Sequence, residues 1–389
     1  MGRFDFIKNL RSFSDQEIVM LNSIEEFINK KRFKLIKKLL KQKKISIDKV
    51  KLNNSFFEGV DFPQVKALVK YVDTSDVNKD IKKVIEKKLF EDFSKNVFSL
   101  IPNYIAPNIH GLEHIKKAVV LQLFSVQPIH ILLLGDPSVG KTDILRAAFN
   151  LSPVSSFGLG SGTSGAGLAV TVKGKEIRKG LLPLADKGIC AIDELNLMKQ
   201  DDMAALYNAM EKGFISYDKG GQHYRFDARV KVLATANPEK DKFKTESIEE
   251  LKKQLPFDSA LLTRFHLIYI MKKPGAKEFK KITEKIINDE KNEIKQEDIN
   301  FIKSYIEYTN RIDSVVFPKD MQKKAVEIID NIKKNEKKYI VDVSPRIVIG
   351  FMRLCKALAK MEMREKVEEN DIKRVKEILL NSLMIKKEQ

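Results

Sequence analysis

Residues 128–142 read PIHILLLGDPSVGKT, and this stretch decides the fold. Ile129 to Leu134 form an unbroken apolar run, the pattern of a strand buried on both faces. Residues 135–142 then fit G-x-x-x-x-G-K-[ST], and DILRAAF over 143–149 has the composition of a helix. Strand before and helix after is the context in which this spacing cradles the phosphates of a nucleotide. Gly135 and Gly140 permit a tight turn. The loop of Gly135, Asp136, Pro137, Ser138, Val139, Gly140, Lys141 and Thr142 can then point its available backbone N–H groups at phosphate oxygens. Lys141 offers a point charge to the β- and γ-phosphates, and the Thr142 hydroxyl is a ligand for Mg2+. The helix N-terminus adds its partial positive charge. ATP with Mg2+ is the expected ligand.

Working outward, GICAID (188–193), VKVLATAN (230–237) and FHLIYIM (265–271) are further short apolar runs separated by helix-sized segments. That alternation predicts an α/β fold, a parallel sheet with helices packed on it. The run at 188–193 ends in Asp193, and Glu194 follows. Two adjacent carboxylates at the end of a buried strand are costly unless a cation and water lie beside them. Asp193 suits the Mg2+ shell, and Glu194 suits polarising an attacking water. The third run ends in Asn237, whose side chain can hold that water or the γ-phosphate. Arg264 can supply transition-state charge if it reaches a nucleotide. Singly, these residues are an ordinary cap, turn or surface charge; in this order they are parts of one ATPase.

After Pro274 the strand-like runs stop, and residues 276–389 read as four or five helices, with Asp298, Asp342 and Ser344 as start signals. Residues 1–95 are polar, Lys-rich and helical in pattern. Within them KKRFKLIKKLLKQKK (30–44) holds nine Lys or Arg and no acid, while Phe33, Leu35, Ile36, Leu39 and Leu40 keep one apolar helical face. A solvated basic face and a phosphate-backbone contact both fit that pattern. The expected division is a basic, mostly helical region over 1–95, a P-loop core over 96–273 and an all-α lid over 274–389.

Composition bounds the rest. The 389 residues include 71 Lys and Arg against 53 Asp and Glu, a formal net charge of +18, and the first hundred hold 22 against 14. The excess favours a polyanionic partner, although Lys-rich composition alone produces the same number. Only Cys190 and Cys355 occur, which excludes a disulfide framework, and no histidine lies at zinc-ligand spacing with either. No apolar run approaches the ~18 residues of a membrane helix, and no signal-peptide core is visible. The expectation is a cytoplasmic protein without membrane contact, nucleoid-associated in a prokaryote.

Five stretches together resemble the AAA+ ATPases and, within them, the minichromosome maintenance (MCM) replicative helicases. IAPNIHGLEHIKKAVVLQLF (105–124) is similar to the segment entering the MCM ATPase core, and GDPSVGKT (135–142) to its phosphate loop. GSGTSGAGLAVTV (160–172) is similar to the start of its helix-2 insert. LPLADKGICAIDELNLMKQDDMAALYNAMEKGFISYDKGG (182–221) resembles the run from the Walker B carboxylates through the pre-sensor-1 hairpin. VSPRIVIGFMRLCKALAKMEMREKVEENDI (343–372) resembles the lid with its sensor-2 arginine. The likeness covers about residues 96–380.

The resemblance implies that Lys141, Thr142, Asp193, Glu194 and Asn237 act within one subunit. Arg264 would be the arginine finger and Arg346 the sensor-2 residue, both reaching the ATP of a neighbour. That trans arrangement needs a head-to-tail contact, and the resemblance implies a homo-oligomer in the form of a hexameric ring. Phe214–Tyr217 and His223–Phe226 flank Lys219-Gly220-Gly221 as a hairpin, and Lys219 matches the family's channel lysine for DNA. Lys173, Lys175, Arg178 and Lys179 form a second basic projection from the insert. The implied activity is ATP-driven DNA unwinding or translocation in replication. Two alternatives are a remodelling ATPase acting on a protein and a regulatory MCM-like subunit without helicase activity.

The chain also departs from the family. It has no cysteines for the family's zinc module and is read as a reduced form that lacks the C-terminal winged helix as well. Arg-Phe-Asp becomes Arg264-Phe265-His266, and Asp-Lys after the Walker B carboxylates becomes Asn196-Leu197. These substitutions are expected to bear on a subunit interface rather than on hydrolysis.

Overall fold

β1 (Ile131–Gly135) is buried at every residue, as its Ile-Leu-Leu-Leu composition requires. It lies between β8 (Lys231–Ala236) and β9 (Leu267–Met271), and beyond β8 come β5 (Ile189–Asp193) and β2 (Ser155–Leu159). Every pair in this sheet is parallel. A computed structural model describes residues 90–383 and Lys87, apart from 174–175, 220–221, 240–241, 244–246, 289–293 and 340–341. The basic helical reading of residues 30–44 lies outside the described residues, as do Lys175 and the tail from 384. The chain divides into two compact units at Asn96 and Val97, and the architecture here is that of the second.

β5 and β8 are, like β1, buried throughout. Helices cover both faces of such a sheet, so its strands have no polar side to show. Registers pair Gly135 with Met271, Leu134 with Ala236, Ile192 with Ala234 and Leu159 with Asp193. The C-terminal ends of five strands therefore meet along one rim, where ligands of open α/β sheets bind. Sequence patterning missed β2, because SSFGL alternates between half-exposed and buried positions at the sheet edge instead of forming an apolar run.

Among the helices, α1 (Glu113–Phe124) is buried along most of its length, including Lys116 and Gln122. α2 (Lys141–Leu151) follows the phosphate loop, and α3 (Ala204–Lys212) leads into a hairpin of β6 (Phe214–Lys219) and β7 (Gln222–Asp227). A second hairpin, β3 (Val170–Lys173) with β4 (Glu176–Lys179), occupies the insert. A short turn of helix, α4, spans Ser259–Leu262 before β9.

Five helices follow β9 among the described residues: α5 (Ala276–Asn288), α6 (Gln296–Thr309), α7 (Lys319–Lys334), α8 (Pro345–Met361) and α9 (Glu369–Leu383). α8 packs on α1 and α9, and α9 packs on β9. Buried tyrosines stitch the layers together. The Tyr305 hydroxyl donates to the Met361 carbonyl at 2.5 Å and the Tyr269 hydroxyl to that of Ile378 at 3.4 Å. Of the expected start signals, Ser344 stands at the N-cap position of α8 without a side-chain cap bond, with Pro345 at the first position. Asp298 sits in the first turn of α6 rather than at its cap, which is Lys295. Asp342 instead pairs with Lys252 at 3.1 Å.

Candidate nucleotide site

The loop between β1 and α2 is shaped by two glycines. Gly140 is left-handed at φ +84°, and a Cβ there would lie 2.9 Å from Ile109 Cδ1. At Gly135 a Cβ would lie 2.2 Å from the Met271 carbonyl oxygen, so β9 and the loop touch backbone to backbone. Both positions need glycine for these reasons. Lys141 opens α2 and folds back over the loop. Its ammonium donates to the carbonyls of Gly135 at 2.7 Å and Asp136 at 2.6 Å. Burial lowers its pKa to about 8, opposed by the carboxylates of Asp136, Asp193 and Glu194. The side-chain oxygens of Asp136 accept from the backbone N–H groups of Phe243 and Lys273.

At the end of β5, Asp193 Oδ1 accepts from the Thr142 hydroxyl at 3.3 Å and from the Thr235 hydroxyl at 2.5 Å. Thr235 in turn accepts from the Glu194 N–H at 2.9 Å. Glu194 adopts a left-handed conformation, φ +53°, at the turn leaving the strand. A non-glycine residue there is strained and is held by its surroundings. Asn237 follows β8, and its N–H donates to Asn196 Oδ1 at 3.0 Å. The structure thus gathers Lys141, Thr142, Asp193, Glu194 and the Asn237 backbone on one rim. The Thr142 hydroxyl and the Asp193 carboxylate are hard oxygen donors, the chemistry a Mg2+ ion shared with phosphates and waters takes. The donor set fits that ion.

Arg264 and Arg346 form a separate cluster. The charges acting on Lys141 are Asp136, Asp193 and Glu194, whereas those acting on Arg346 are Arg264 and Glu211. Arg264 lies over the Tyr207 ring at 4.7 Å, pairs with Glu211 at 3.0 Å and donates to the Ala260 carbonyl. Burial and the neighbouring Arg264 push the pKa of Arg346 down. Arg264 Nε and Arg346 Nη1 are buried without an acceptor among the described residues. Unsatisfied buried guanidinium donors are uncommon, and two of them fall in this cluster.

The two hairpins carry the remaining expected residues. Lys219 is the last residue of β6, in register with Gln222, so the connection is two residues long and Lys219 belongs to the strand rather than the turn. Lys173 ends β3 opposite Glu176. Arg178 pairs with Glu176 at 3.1 Å, which neutralises part of the insert's basic projection. A cleft of about 430 Å³ lies against Lys179, Asp186 and Arg225.

Comparison with known proteins decides the family. The MCM P-loop domain matches residues 85–290, and the MCM AAA-lid domain matches residues 300–383. The chain belongs to the MCM family. It is 30% identical over 333 residues to DNA replication licensing factor MCM4 of Arabidopsis thaliana, covering 76% of this chain and 38% of that protein. Against DNA replication licensing factor MCM7 of the same plant it is 28% identical over 305 residues, 71% of this chain and 42% of the relative. The mcm7 of Xenopus tropicalis is 28% identical over 331 residues, 78% and 46%. The chain therefore spans less than half the length of these relatives. No helix among the described residues is long and apolar enough to cross a membrane.

With the MCM P-loop domain in place, its departures acquire local reasons. His266 turns inward: its Nδ1 accepts from the His130 N–H at 3.0 Å, and Arg353 Nη1 lies 3.3 Å from its Nε2. Its Cβ faces Gly350, where an added Cβ would lie 2.9 Å away, so α8 packs closely on it. Burial holds both imidazoles neutral, with pKa values of about 3 for His130 and about 2 for His266. Asn196 anchors Asn237, while Leu197 is exposed. Sequence reasoning missed Thr235, Glu211 and the direction of Asp136. Thr235 carried one weak signal, a hydroxyl inside an otherwise apolar strand beside the Asp193 strand.

Proposed function

We propose that this MCM chain is an ATP-hydrolysing DNA helicase or translocase that works in replication as part of a head-to-tail ring of six subunits. The observation that carries the reading is the shared Asp193 Oδ1, bonded by the Thr142 and Thr235 hydroxyls with Lys141 and Glu194 beside it. ATP with Mg2+ supplies the cleavable phosphoryl bond and the cation that neutralises its charge. Lys141 exchanges the Gly135 and Asp136 carbonyls for phosphate oxygens. Thr142 and Asp193 hold the metal, and Glu194, its N–H fixed by Thr235, takes the proton of the attacking water. Asn237 orients that water. The unsatisfied donors of Arg264 and Arg346 stabilise negative charge on the nucleotide of the adjacent subunit. Lys219, Lys173 and Lys175 contact the DNA backbone without regard to sequence. α3 runs into β6 through Gly213.

The test is Glu194→Gln. The variant should bind ATP and hydrolyse it roughly 10²–10⁴-fold more slowly. In parallel, Lys219→Ala should weaken DNA binding and reduce the slope of log affinity against log salt by about 1. Normal turnover by the Gln variant sinks the ATPase assignment.

A further inference from the structure

We propose that Asp136 is a positioning residue that fastens the lid linker and the segment after Asn237 to the phosphate loop, so that the three move as one body when nucleotide binds or leaves. Its last clause rests on the ATPase reading above; its first does not.

Every polar group of Asp136 is engaged with a different element. Its N–H donates to the Met271 carbonyl at 2.9 Å, at the end of β9. Its carbonyl accepts from the Lys141 ammonium at 2.6 Å, at the start of α2. Carboxylate Oδ1 accepts from the Phe243 N–H at 3.0 Å and Oδ2 from the Lys273 N–H at 3.1 Å. The residue is 6% exposed, so these four bonds are made largely out of water. Buried charge-assisted bonds of this kind are stronger than neutral ones, and an unmade partner is left at a cost.

The two amides belong to the arms that matter. Lys273 lies between β9 and Pro274-Gly275, which lead through α5 to the helices matched by the MCM AAA-lid domain. Phe243 is six residues past Asn237, and its ring packs on the core beneath the sheet rim. A carboxylate is the one side chain of this size with two separate acceptor oxygens for two converging N–H groups. Asparagine offers one oxygen and turns an NH2 toward the other donor. The Gly135–Met271 contact, too close for any Cβ, sets the loop and β9 at the distance this bridge needs. A lid displacement pulling on Lys273 therefore acts on Asp136 and, through its carbonyl, on the seat of Lys141.

The experiment is amide hydrogen exchange on the full chain and on Asp136→Asn and Asp136→Ala, first without nucleotide and then with ADP. Without nucleotide, Phe243 and Lys273 should exchange at least tenfold faster in both variants, while β1 and β8 amides keep their protection. Should the Ala variant not fold, the Asn variant carries the measurement, since it keeps shape and loses one acceptor. With ADP, the native chain should gain protection at Lys273 and across α5. Asp136→Asn should still bind ADP, up to about tenfold more weakly, and show less than a third of that gain. Unchanged exchange at Phe243 and Lys273 in the variants overturns the fastening, and a full lid response to ADP in Asp136→Asn overturns the coupling. A native chain that binds no ADP removes the coupling along with the ATPase reading, and leaves the nucleotide-free comparison to decide the fastening.

Discussion

Thr235 is the most exacting place to perturb this site. It is 1% exposed and central to the carboxylate end of the sheet. Its hydroxyl donates to Asp193 Oδ1 and accepts from the Glu194 N–H. Thr235→Val keeps the shape, the β-branching and the strand, and deletes both bonds. The lost bond to a carboxylate is worth about 1.5–3 kcal/mol, and the stranded Glu194 N–H costs about 1–3 kcal/mol. The two overlap, so a stability loss of about 2–4 kcal/mol is expected. For a chain of this size that amounts to roughly 2–7 °C in melting temperature. The catalytic loss should be larger than stability alone explains. With φ +53°, Glu194 depends on that bond to hold its turn, and a displacement near 1 Å at a catalytic group costs about 10²-fold. Single-turnover ATP hydrolysis at saturating nucleotide, below the variant's melting point, measures it. Thr235→Ser restores the hydroxyl and should recover most of the rate. Valine turning over within twofold of the native chain would refute the claim that this hydroxyl positions Glu194.

Two further predictions concern pH. Lys141 must be charged to hold phosphate, and burial sets its pKa at about 8. Bound phosphate favours the ammonium, so binding takes up a proton above that value. Nucleotide affinity should be level below pH 8 and fall by up to about tenfold per unit above it, as titration with a fluorescent ATP analogue would read; affinity flat to pH 10 contradicts it. Lys231, buried and bonded to the Leu123 carbonyl at 2.7 Å, has its pKa lowered to about 7 by burial and by Lys360. The unfolded chain binds this proton up to about pH 10 and the folded chain releases it from about 7, so this lysine makes stability rise with pH across that window. Lys231→Met should flatten the slope by up to about 1.4 kcal/mol per unit, measured by urea unfolding at pH 7, 8 and 9.

Much of the architecture was legible because its signals are local. The run Ile129–Leu134 and the loop after it need only adjacent residues to declare strand, turn and helix. The order Lys141, Asp193, Glu194, Asn237 marks successive strand ends, and a parallel sheet aligns those ends by its register. β2 escaped because an edge strand carries a mixed pattern. Asp298 marks the start of α6 from its first turn, while Lys295 takes the cap position, since an acidic residue signals a helix start from either place.

What the sequence by itself determined, then, is which residues lie at the strand ends and what chemistry they bring, since motif spacing and apolar runs are properties of neighbours along the chain. The tertiary structure alone decided where those side chains point. It aimed the Asp136 carboxylate at the amides of Phe243 and Lys273, placed the Thr235 hydroxyl between two carboxylate residues, and set Arg264 and Arg346 together, apart from Lys141. These pairings span tens to more than a hundred residues, and they form only where folding brings buried donors and acceptors together out of water. A buried polar group must find a partner, and which partner it finds is a fact of three dimensions.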